Sequence, residues 1–95
     1  GSLPYRVESG SDAEERLAML GNYQAQRNYA FFNSTKGNPI LGCAWRLIIL
    51  EQGSRRVDTT DTMNAQGECR ALSELERATA ANQARQLANK MTTYK

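Results

Sequence analysis

From Ile40 to Leu50 the chain is hydrophobic at every position except Gly42 and Arg46, a density found nowhere else along it. Such a run suits a membrane span, a buried strand or a central core helix. A spanning helix takes about 20 apolar residues, whereas this run is cut by Arg46 and closed by Glu51, Gln52 and Gly53. The flanks choose between strand and helix. Asn38 is an N-cap residue type, Pro39 falls where a missing N–H costs nothing, and Gly53 can take the left-handed conformation past the end. The pattern predicts a buried helix over residues 39–52.

The remaining hydrophobic positions also recur at helical spacing. "SDAE" at residues 11–14 fits a capping box with Ser11 as cap and Glu14 reaching back, followed by Ala13, Leu17 and Leu20 on one face of a helix ending near Leu20. Gly21 and Asn22 break that helix and restart the chain as a second one. Ala25, Tyr29 and Phe32 form its apolar face, and it is expected to end near Asn33 before the loop "STKGNP". Beyond the polar "SRRVDTTD", Thr60 or Asp61 is a candidate cap for a short helix reaching Cys69. "SELE" at 73–76 repeats the capping box, and Ala80, Ala84, Leu87 and Met91 then lie along one stripe of a last helix. No segment alternates convincingly as a strand, so the predicted class is all-α.

Composition narrows the function classes. At 95 residues, 40% hydrophobic and 23% charged, the chain reads as one folded domain with a modest core. We expect residues 11–95 to be that domain and residues 1–10 to be a flexible N-terminus opening on Gly1-Ser2, a tag remnant that displaces any export signal. The net charge is +2, with twelve basic residues scattered among ten acidic ones, so no basic stripe suits a phosphate backbone and nucleic acid is not an expected partner.

The segment "GNYQAQRNYAFFNSTKGNPILGCAWRLIILEQGS" resembles one Sel-one-like repeat, a relative of the tetratricopeptide repeat built as an antiparallel pair of helices. Gly21, Ala25, Gln26 and Asn28 match the first part of that pattern, and Trp45 and Gly53 match the second. Tyr29, Ala30, Gly42, Ile49 and Leu50 depart from it, and the resemblance covers about a third of the chain. It implies a helix hairpin flanked by further helices, and an adaptor or scaffold role of the kind common among exported bacterial proteins. The residues themselves fit a hairpin. Ala25, Ala30, Gly42 and Ala44 are small enough for close approach, and Trp45 fills the larger space between the two helices.

Chemistry has little foothold. Without histidine there is no Ser-His-Asp or Cys-His nucleophile system, and the commonest transition-metal ligand is missing. Two cysteines without CxxC spacing make no zinc site, and the seven dispersed glycines make no phosphate loop. The acidic pairs Glu14/Glu15, Glu74/Glu76 and Asp58/Asp61 mostly fall at predicted helix starts, where the dipole favours them. No cofactor or metal is expected and no enzymatic activity.

Other features point toward recognition. Tyr23, Gln24, Arg27 and Phe31 lie on the side of the second helix opposite its apolar face, with the composition of an interface hot spot; packing against the first or last helix is the competing reading. Arg55 and Arg56 with Lys36 are either an anion site or solvated charges. Arg46 is expected to snorkel or to pair with an acid rather than to face a partner. Cys43 near the start of one helix and Cys69 near the end of the next become neighbours if those helices run antiparallel, and their bridge would place the protein in the periplasm or another oxidising compartment. The functional expectation is a non-enzymatic module binding another protein, with a small periplasmic inhibitor or immunity protein as the alternative.

Overall fold

The computed structural model describes residues 10–52 and 54–94, with side chains from residue 12 onward. It is all-α: helices α1 (Gly10–Met19), α2 (Tyr23–Thr35), α3 (Pro39–Gln52), α4 (Thr59–Arg70) and α5 (Glu74–Met91), with no strand among the described residues. The greasy run is α3, with the boundaries its flanks predict. Asn38 receives the Leu41 N–H on its side chain and the Gly42 N–H on its carbonyl. The left-handed role expected of Gly53 lies outside the described residues.

Two glycines turn the chain at the other ends. Gly21, at φ 96°, follows α1 while the Asn22 N–H returns to the Leu17 carbonyl and the Gly21 N–H to that of Ala18. Gly37, at φ 97°, does the same for α2, with the Asn38 N–H on the Asn33 carbonyl. Both are left-handed helix ends that capture orphan carbonyls, and a side chain at either would be strained. Asn22 then caps α2 by accepting from the Ala25 N–H at 2.8 Å.

α3 is the axis of the fold because it is the one element hydrophobic on nearly every side. It packs against α2, α4 and α5, while α1 packs on a second side of α2. Tyr29 meets Trp45 edge-on at 5.7 Å, and Ser34 meets Gly42, so α2 and α3 run antiparallel. Cys43 opposite Cys69 and Arg46 opposite Glu68 make α3 and α4 antiparallel in turn. A Cβ at Gly42 would lie 3.0 Å from the Ser34 backbone nitrogen and run into its hydroxyl, the close approach expected of that glycine.

Trp45, Ile48, Ala44, Ala30, Ala25 and Tyr29 form the centre of the core, extended by Ala80 and Ala84 from α5 as their stripe predicts. Four sequence expectations are corrected. The buried face of α1 is Ala18 and Met19, whereas Leu17 and Leu20 are 41% and 54% exposed, because the turn toward α2 presents the opposite side of this short helix. Phe32 is 38% exposed, beyond the edge of the α1–α2 contact. α1 begins at Gly10, so Ser11 is inside the helix rather than its cap. α4 is capped by Asp58, with Asp61 as the returning third residue of the box, in place of Thr60 or Asp61 as cap.

Candidate functional site

A polar cleft of about 330 Å³ opens between α2 and α4, with α3 as its floor. Gln24, Arg27, Asn28 and Phe31 line it from α2, Asn64 and Glu68 from α4, and Arg46 from α3. The spacing of the α2 residues explains the wall: positions 24, 27, 28 and 31 share one helical face. Phe31 is 61% exposed there, an aromatic ring held at the rim among amides and charges. Gln24 Nε2 donates to Asn28 Oδ1 at 2.9 Å, which orders the two amides.

Of the four residues expected to face a partner, Gln24, Arg27 and Phe31 line this cleft and Tyr23 does not. Tyr23 is buried, and its hydroxyl donates to Asp61 Oδ2 at 2.5 Å. The reason is Asp61 itself. This carboxylate is 1% exposed and its Oδ2 also accepts the Asp58 N–H, while Arg27 Nε stands 3.3 Å from Oδ1 as an ion-pair neighbour. A buried charge needs such company. Tyr23 and Arg27 supply it, so Arg27 is half-buried and partly committed to structure.

Of the two outcomes expected for Arg46, the structure shows pairing with an acid and not snorkelling. Arg46 is 4% exposed and forks onto Glu68, Nε to Oε1 at 3.1 Å and Nη2 to Oε2 at 2.9 Å. Glu68 Oε1 also accepts from the Ser34 hydroxyl at 2.6 Å, tying α2, α3 and α4 together at one carboxylate. The Nη1 of Arg46 is buried without a hydrogen-bond partner. Beside this pair, Cys43 and Cys69 lie at disulfide-bonding distance with Cα atoms 5.0 Å apart, as the antiparallel reading of α3 and α4 requires.

The Arg55, Arg56 and Lys36 grouping is not assembled. Arg56 stacks its guanidinium 5.0 Å from the Tyr23 ring centroid at the start of α2, and Lys36 follows the last residue of that helix, about 20 Å away by helical rise. Asp58 and Asp61 close the α4 cap, Glu74 and Glu76 occupy the first turn of α5, and Glu14 and Glu15 sit within α1 rather than at its start.

Sequence reasoning missed Asn64, Glu68 and the anchoring role of Asp61. For Asp61 a signal existed, since Asp58 and Asp61 have the three-residue spacing of a reciprocal cap. For Asn64 and Glu68 none did, because only the docking of α4 brings them to α2.

Burial pushes the Tyr23 hydroxyl above its ordinary pKa, helped by the hydrogen bond to Asp61. Burial likewise raises Tyr29, helped by the charge of Glu15. Raised values in the folded state mean that both tyrosines favour folding while neutral. Their contribution is complete below the unfolded value of about 10 and is lost as pH climbs through the raised values. Denaturant midpoints should therefore fall between pH 10 and 11.5, less steeply in Tyr23→Phe with Tyr29→Phe; a wild-type midpoint flat over that range would contradict this.

Compared with known proteins, the chain matches no family model, no curated protein and no solved structure. No helix among the described residues is long and apolar enough to cross a membrane.

Proposed function

We propose that this chain is a non-enzymatic protein-interaction module of the Sel-one-like, tetratricopeptide-related kind, working in an oxidising compartment such as the periplasm. Its partner is another protein, seated in the cleft between α2 and α4. The observation that carries this reading is Phe31, a ring 61% exposed beside three amides and two arginines in a concave wall. An exposed aromatic ringed by hydrogen-bonding groups has the make-up of a hot spot. The helix order supports it, since α2 and α4 both run antiparallel to α3, as the leading helices of two consecutive hairpins do. The paired cysteines fit export.

Phe31→Ala and Gln24→Ala are the informative variants, because Arg27 also serves Asp61. Each should leave helical content and the melting curve unchanged while weakening partner binding by about 1 kcal/mol or more. Quantitative cross-linking of tagged wild type and variants in the native compartment is the measurement. A partner held equally by all three rejects the cleft. A toxin enzyme as the one protein lost with Phe31→Ala would turn the module into an inhibitor.

A further inference from the structure

Helix α4 is joined to the rest of the fold in an unusual way. It packs closely only on α3, and of its twelve residues only Asp61 and Ala65 are buried. Met63, its largest apolar side chain, is 64% exposed. Apart from Ala65, its ties are polar contacts at Asp61 and Glu68 and the bridge from Cys69 to Cys43. α5 packs on α3 through Ala80 and Ala84, so the chain beyond α4 holds its place without it.

The two ends of the bridge differ in access. Cys43 is 1% exposed, whereas Cys69 is half-buried and opens onto a shallow depression of about 420 Å³ shared with Gln66, Arg70 and Arg77. Arg77 is fixed there by donating to the Leu72 carbonyl at 2.9 Å. Two guanidinium groups beside a reachable sulfur favour the approach of a thiolate.

We propose that the Cys43–Cys69 bridge is a redox switch for the α2–α4 cleft, which rests on that cleft being the partner site. A thiolate of an external dithiol attacks Sγ of Cys69, the S–S bond breaks, and its electron pair leaves on Sγ of Cys43, which takes a proton. The second thiol of the dithiol then displaces Cys69 from the mixed disulfide. The dithiol ends as a disulfide, two electrons and two protons having passed to the protein as two cysteine thiols. α4 is then held by its polar contacts, by Ala65 and, just past its end, by the buried Leu72, and it swings away from α3 about that anchor while the hairpin and α5 persist. Asn64 and Glu68 leave the cleft with it.

The test needs no partner. The whole chain is treated with dithiothreitol without denaturant, its thiols are counted by alkylation, and amide exchange is followed helix by helix. Two thiols should appear, and amides of Thr59–Arg70 should exchange about 10-fold faster or more, with Pro39–Gln52 and Glu74–Met91 within about 2-fold of the oxidised protein. Cys43→Ser with Cys69→Ser should give the same pattern without reductant. A bridge that resists until denaturant is added, protection lost in all helices together, or α4 protected as before would each overturn the switch. The Phe31→Ala cross-linking result judges the cleft separately.

Discussion

Trp45→Ala should bring the protein close to unfolding under ordinary conditions. The indole is 1% exposed at the middle of α3, with Tyr29 edge-on at 5.7 Å and Ala44 and Ile48 buried on either side along the helix. Truncation removes the largest apolar side chain of the core, and the alanines of the same cluster, Ala30, Ala44 and Ala80, have nothing to swing into the space. The expected cost is about 3 to 5 kcal/mol, against a total of roughly 5 to 10 for a domain of this size. A urea melt followed by far-ultraviolet circular dichroism reads it directly. A midpoint lowered by less than a third would mean that the core closes over the gap. Trp45→Phe, which keeps a ring against Tyr29, should retain most of the stability.

Trp45 also shows what the sequence makes legible. The run from Ile40 to Leu50 has no polar face, so α3 had to be central, and Asn38-Pro39 marked its start. Capping residues set α5 and α2 in the same way, because their chemistry is local. α1 was legible as an element but not in its orientation. Leu17 and Leu20 looked like its core face, yet a ten-residue helix joined to α2 by a tight Gly21 turn has little freedom to choose its inner side, and the turn selected Ala18 and Met19.

The cleft divides along the same line. Gln24, Arg27 and Phe31 share a helical face that can be read from spacing alone. Tyr23 appeared to share it, but its fate was decided 38 residues away by a buried carboxylate. Glu68 gave no sign at all. Its position in a polar helix is that of a solvated charge until α4 docks and sets it on Arg46, and that docking brings together a cysteine pair that sequence spacing could suggest only once both helices were placed.

The Arg46–Glu68 pair carries the second large effect. Arg46 is 4% exposed and Glu68 retains 22%, so Glu68→Ala leaves a nearly buried guanidinium charge at the floor of the cleft without its carboxylate, and also takes the acceptor from Ser34. Breaking one side of a buried pair costs about 3 to 5 kcal/mol, and the partial exposure of Glu68 places this case near 3. Arg46→Met should cost less, about 1 to 2 kcal/mol, since the charge left behind is the one that water reaches. The double variant Arg46→Met with Glu68→Leu should recover to within about 1 kcal/mol of the wild type, because an apolar pair fills the site without needing its ions desolvated. Denaturant midpoints for these proteins, with Glu68→Leu alone as the single variant that closes the cycle, make the comparison, and equal slopes confirm that the same unfolding is measured. A Glu68→Ala midpoint equal to the wild type would mean that Arg46 finds water or another acceptor there. A double variant no better than Glu68→Ala would mean that the pair is required for packing α4 and not merely for neutralising a buried charge.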